Sequence, residues 1–153
     1  MTGLLSLLDS SHVACRLPAQ SQKNIFELLA KKIAENHPAL EEQMIARQLL
    51  GREKLGSTGL GNGVAVPHSR IEGLDEPIVF ILTLERAVPY DAPDGAPVDV
   101  LFALLVPEES TQLHLDLLAE IATLLSDSVY CKALRRAATS NELLASAMPS
   151  QAA

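Results

Sequence analysis

Apolar positions along this chain follow two kinds of pattern. From Ser21 to Asn36, "SQKNIFELLAKKIAEN", Ile25, Leu28, Leu29 and Ile33 recur at helical spacing, and Ser21 stands before them as a cap. The spacing predicts an amphipathic helix. "HPALEEQMIARQLLGRE" predicts a second, starting at Pro38, where proline suits a first turn, with Leu40, Met44, Ile45 and Leu49 facing inward. Its end is open between Gly51 and Glu53. A third helix is expected in "STQLHLDLLAEIATLL", capped by Ser110, with Leu113, Leu117, Leu118, Ile121, Leu124 and Leu125 on one stripe. "SVYCKALRRAA" and "SNELLASA" predict two short helices, and residues 147–153 a frayed tail.

The second pattern is nearly unbroken hydrophobicity. "PIVFILTLE" and "VDVLFALLV" predict strands covered on both faces, and "GVAVPH" a shorter one. "RAVPYDAPDGAP", dense in Pro, Gly and Asp, reads as a surface loop. Helices on either side of a buried sheet make an α/β (α+β) fold: a mixed central β-sheet flanked by helices on both faces, in one domain with its core between about residues 4 and 144.

Composition narrows the partners. Aromatic residues make up only 3% of the chain, so the core is aliphatic. Twelve Lys and Arg against nineteen Asp and Glu give a net charge of -7. An acidic chain without a basic, aromatic-interleaved stripe repels nucleic acid, and a protein partner with a basic face fits it better. Cys15 and Cys131 lie far apart, without metal-ligand spacing, and read as free buried thiols in a reducing compartment. The N-terminal apolar patch lacks a basic leader, and the longest apolar runs are too short to span a bilayer. A cytoplasmic protein without membrane insertion, metal or cofactor is expected.

One stretch stands apart. "GSTGLGNGVAVPHSR", residues 56–70, packs four glycines into eight residues and then delivers His68 behind Pro67. Bare backbone N–H groups can approach an anion closely. A Walker loop is excluded, because Asn62 and Gly63 stand where Lys and Ser/Thr are needed. A dinucleotide fingerprint is excluded too, since here the glycines follow a helix and precede a strand. A pair of tight turns joining helix to strand is the plainer alternative. Pro67 fixes its own φ and restricts Val66, so a stiff strand end presents His68.

His114 falls within the apolar stripe of the third predicted helix, in its first turn. It is either a core histidine bonded to a carbonyl or a ring facing a site at the sheet edge, near a helix N-terminus that favours anions. Arg52 ends the second helix: a cation at a helix C-terminus, or a guanidinium held beside an anion. Glu53 and Lys54 read as solvated charges, and His12 and His37 as incidental.

Together, "REKLGSTGLGNGVAVPH" and "FALLVPEESTQLHLDLLAEIATLL" resemble the two signatures of the enzyme IIA components of the phosphoenolpyruvate-dependent phosphotransferase system. The similar branch is the fructose/mannitol type, especially its nitrogen-regulatory member, over about Leu4 to Leu144. The resemblance implies that His68 accepts a phosphoryl group from a histidine phosphocarrier protein, with His114 beside it and Arg52 near the phosphoryl oxygens. Ser57, Thr58, Gly59, Gly61, Asn62 and Ser69 are then the expected phosphate-binding positions. Ser69 departs from the glycine that usually follows Pro-His. The resemblance implies a relay component with a phosphohistidine intermediate. Its phosphorylation state would regulate other proteins, such as potassium transporters or sensor kinases. The alternative is a free-standing sugar component that passes the phosphoryl group to a IIB domain.

Overall fold

A computed structural model describes residues 4–148. The expected layers are present. Two short 3-10 turns, Leu5–Leu7 and Ser10–His12, lead into strand β1, Val13–Leu17. Helices α1, Gln22–Asn36, and α2, Glu42–Lys54, follow. The strands β2 (Gly59–Gly61), β3 (Val64–Ala65), β4 (His68–Ile71), β5 (Ile78–Val88) and β6 (Val98–Pro107) come next. Helices α3 (Gln112–Leu125), α4 (Ser128–Arg136) and α5 (Ser140–Ala147) complete the order.

The sheet is mixed. β5 and β6 pair antiparallel at its centre, β1 lies parallel along the far side of β5, and β3 lies parallel along β6 with β2 antiparallel beyond it. β4 continues the β3 line along β6, from His68 opposite Leu104 to Ile71 opposite Pro107. β5 and β6 are buried over almost their whole length, which explains their continuous hydrophobicity. One face packs α1 and α2 through Phe26, Leu29, Ile33, Ile45 and Leu49. The other packs α3, α4 and α5 through Leu117, Ile121, Leu134 and Leu143.

Several expectations need correction. β1 was not expected. Its five residues carry too little alternation to announce a strand, and pairing with β5 creates it. α2 starts at Glu42, not Pro38: residues 37–40 close a turn, Leu40 N–H to His37 C=O, that buries Leu40 ahead of the helix. α2 runs past Gly51, where a side chain would meet only open space. Ser110 does not cap α3. Its N–H closes a turn on Pro107, and Thr111 precedes the helix without a side-chain cap bond. Leu113 is 40% exposed, because the first turn of α3 overhangs the sheet edge, so the buried stripe is Leu117, Ile121 and Leu125. The 86–97 stretch is not wholly a surface loop. β5 extends to Val88, and Tyr90 is buried edge-on against Phe26. Cys131 is buried and Cys15 half-buried, both free. In the expected tail, Ala147 is buried as the last residue of α5, and residues 149–153 lie outside the described residues.

Candidate active site

His68 does not end a strand; it begins one. Val66 and Pro67 interrupt the run between β3 and β4, and the Pro67 carbonyl accepts from Leu104 N–H, so the chain rejoins the edge of β6 at once. Proline has no N–H to offer the ladder, which makes this break the natural place for it. The kink turns the Val66 carbonyl onto the His68 ring, 2.7 Å from Nδ1. A carbonyl only accepts, so Nδ1 carries the proton and the Nε2 lone pair is left free.

The ring lines an open hollow of about 500 Å³ shared with Gln48, Gly51, Arg52 and Leu55 of α2 and its C-terminal end, Ser69 and Arg70 of β4, Glu108, and His114 of α3. His114 stands edge-to-face to His68, ring centroids 5.3 Å apart. Its Nε2 is buried and has no hydrogen-bond partner among the described residues. Buried polar atoms rarely stay unpaired, so such an atom beside a reactive ring marks a place for a ligand atom. Burial pushes the His68 pKa below 6.5, helped by the Arg52 charge and opposed by the Val66 bond and Glu53. Burial lowers His114 too, followed by the charges of His68, Arg70 and Arg52. Both rings are therefore held neutral and able to act as a nucleophile or donor at neutral pH.

Arg52 reaches this hollow while its Nη1 donates to the Gly56 carbonyl at 2.8 Å, which ties the end of α2 to the start of the glycine segment. Glu53 is not merely solvated. Its carboxylate accepts from Thr58 N–H at 2.9 Å and from Thr58 Oγ1 at 2.6 Å.

The glycine segment is mainly a hairpin rather than a phosphate cradle. β2 and β3 are joined by Asn62 and Gly63, both at positive φ, as a tight two-residue turn requires. Of the expected phosphate-binding residues, only Ser69 lines the hollow. The Thr58 hydroxyl is buried between Glu53 and Tyr90. Ser57 Oγ accepts from Gly59 N–H, and Gly59 packs on Ala92. Asn62 N–H donates to Asp94, and Gly61 sits against the same carboxylate. These residues are engaged elsewhere and do not line the hollow. Sequence reasoning missed Arg70 and Glu108, whose positions follow only from the β4–β6 register. It also missed that His12 and His37 face each other, Nε2 to Nε2, at 2.9 Å. Among the described residues no group of three His, Cys, Asp or Glu could hold a metal ion, and no helix is long and apolar enough to cross a membrane.

Solved structures share this architecture. IIA mannitol from Escherichia coli superposes with a TM-score of 0.75 at 17% identity, covering 92% of this chain and 99% of that one. The nitrogen regulatory protein IIA-Ntr from Neisseria meningitidis superposes with a TM-score of 0.88 at 34% identity, covering 96% and 100%. The molecule thus has the enzyme IIA fold, with two facing histidines at the open edge of its sheet.

Within that class, the chain belongs to the family described as the phosphoenolpyruvate-dependent sugar phosphotransferase system, EIIA 2, whose pattern matches residues 6–146. It resembles that family's nitrogen-regulatory members. It is 43% identical to the nitrogen regulatory protein of Pseudomonas aeruginosa, over 94% of this chain and 93% of that protein. It is 40% identical to that of Escherichia coli, over 92% and 86%.

Proposed function

We propose that this chain accepts a phosphoryl group on His68 Nε2 from a histidine phosphocarrier protein in the cytoplasm. Its phosphorylation state then regulates the proteins it binds, potassium transporters or sensor kinases among them. The observation that carries the reading is the His68 ring itself: proton fixed on Nδ1 by Val66, Nε2 unpartnered in an open hollow, and the orphaned His114 nitrogen at its side.

In the transfer, the Nε2 lone pair attacks phosphorus as the N–P bond of the donor phosphohistidine breaks. Its electron pair returns to the departing ring, which leaves neutral when its other nitrogen is protonated. His68 keeps its Nδ1 proton, and the Val66 carbonyl stabilises the positive charge the ring acquires. His114 Nε2–H donates to a phosphoryl oxygen, and Arg52 adds positive charge near the oxygens. An open hollow suits a donor that is itself a protein. Leu55 lines it and is exposed, and Leu113 and Leu115, on either side of His114 in the chain, are exposed too, as expected of a surface that docks and releases another protein.

Phosphoenolpyruvate, enzyme I and carrier protein should label the wild-type chain on one histidine, and His68→Ala should stay unlabelled; labelling of that variant would overturn the assignment. One observation favours a regulator over a sugar component: the 40% and 43% identity to nitrogen regulatory proteins, against 17% to the mannitol IIA. Rapid transfer from the phosphorylated chain to IIB domains with sugar phosphorylation would reverse that choice.

A further inference from the structure

Arg70 sits two residues beyond His68 on β4, and the burial pattern of the strand alternates, with His68 and Arg70 outward and Ser69 and Ile71 inward. Alternation sets both side chains on the same side of the strand, opposite Leu104 and Val106, which pack toward the α3 layer that carries His114. Arg70 lines the same hollow as the two histidines. It is exposed, and among the described residues its guanidinium has no hydrogen bond or ion pair, although Glu108 shares the hollow; its backbone carbonyl accepts from Ser69 Oγ at 3.2 Å. Arg52 differs: one of its guanidinium nitrogens is already bonded to Gly56.

The phosphoryl group brings three equatorial oxygens into this hollow, and the described residues offer them few uncommitted donors. We propose that Arg70 is a further catalytic residue, whose guanidinium closes over the phosphoryl group on His68 and shares its charge in the transition state and the phosphorylated form. This rests on the assignment of His68 as the acceptor. A planar fork with several N–H donors suits a phosphoryl group better than a point charge does. A long, unbonded side chain can withdraw as the donor protein docks and return as the phosphoryl group arrives.

The experiment compares wild type, Arg70→Gln and Arg70→Lys in single-turnover transfer from phosphorylated carrier protein. Both the rate at saturating carrier and the carrier concentration for half-maximal rate are read. Arg70→Gln should lower the saturated rate on the order of 10–100-fold, with the half-maximal concentration changed by less than about threefold, and Arg70→Lys should fall between. In ³¹P NMR, the phosphohistidine of Arg70→Gln should titrate at higher pH than that of wild type, because a cation that favours the dianion is gone. Melting temperatures should agree within about 2 °C, since an exposed, unbonded side chain contributes little to stability.

An unchanged saturated rate, or a change confined to the half-maximal concentration, would overturn the proposal and make Arg70 a docking residue. Wild-type chain that accepts nothing, or accepts on another residue, would sink the His68 reading instead, so the two failures are distinguishable.

Discussion

Replacing Gly63 with alanine tests how the β2–β3 hairpin is held. Gly63 adopts φ +81°, and a Cβ there would lie 2.6 Å from Arg135 Nη2 and 3.1 Å from Asp99 Oδ1. That guanidinium joins α4 to the hairpin: Nη2 donates to the Asn62 carbonyl at 2.7 Å, and Nε donates to both Asp99 oxygens at 3.0 and 3.1 Å. The alanine imposes two separate penalties. A side chain in the left-handed region costs about 1–2 kcal/mol. Displacing Arg135 forfeits a charged hydrogen bond, which would be worth about 1.5–3 kcal/mol if buried. Arg135 and Asp99 are about a third exposed, so solvent screening reduces that to about 1 kcal/mol.

Gly73 supplies the control. It has φ +87° and nothing within 4 Å of the added Cβ, so Gly73→Ala carries the backbone penalty alone. In urea titrations Gly63→Ala should lose about 2–3 kcal/mol and Gly73→Ala about 1–2 kcal/mol, the first corresponding to a fall in melting temperature of roughly 4–12 °C. In an Arg135→Met background the difference between the two glycine variants should vanish. If Gly63→Ala proves no more destabilising than Gly73→Ala, Arg135 does not hold the turn and the reasoning fails.

Further predictions follow from the same contacts. Thr58→Val strands Glu53 Oε1 and the buried Tyr90 hydroxyl, whose pKa burial already pushes far up, and should cost about 2–3 kcal/mol by chemical denaturation; a loss below about 0.5 kcal/mol would show that water replaces the bonds. The His68 ring must be neutral to attack, and its pKa lies below 6.5, so transfer rates should be flat above that pH and fall only as pH drops through the lowered value; a profile centred above 6.5 would contradict the burial argument. The His12 and His37 rings meet at 2.9 Å with planes 19° apart, in line, so one proton fits between them. Burial, then the His12 charge, hold His37 below 6.5, against Asp9. The folded chain therefore binds fewer protons here than the unfolded chain. The stability this provides is complete above pH 6.5 and is lost as pH falls below it, and His37→Gln should flatten the decline seen between about pH 7.5 and about pH 5.5. Ile121→Ala, fully buried under the sheet, should cost about 2–5 kcal/mol in the same titrations.

Features that depend on near neighbours along the chain were legible in the order of its residues. The apolar period of 25–33 announced α1, and the nearly unbroken runs at 78–84 and 98–106 announced the two central strands, because burial on both faces leaves few polar positions. His68, His114 and Arg52 stood out by their local company, and the two signatures carried the family. Which distant groups meet became clear in the folded chain alone. β1 exists because β5 offers it an edge. The glycines that read as an anion loop became a hairpin, because Asp94, Arg135 and Tyr90, distant in sequence, bond or pack against the segment from outside. Arg70 entered the hollow through the β4–β6 register, and the pairing of His12 with His37 required α1 to end beside the turn before β1. Local spacing sets a residue's face and its element, whereas the identity of its partner is a long-range fact that chain connectivity alone does not encode.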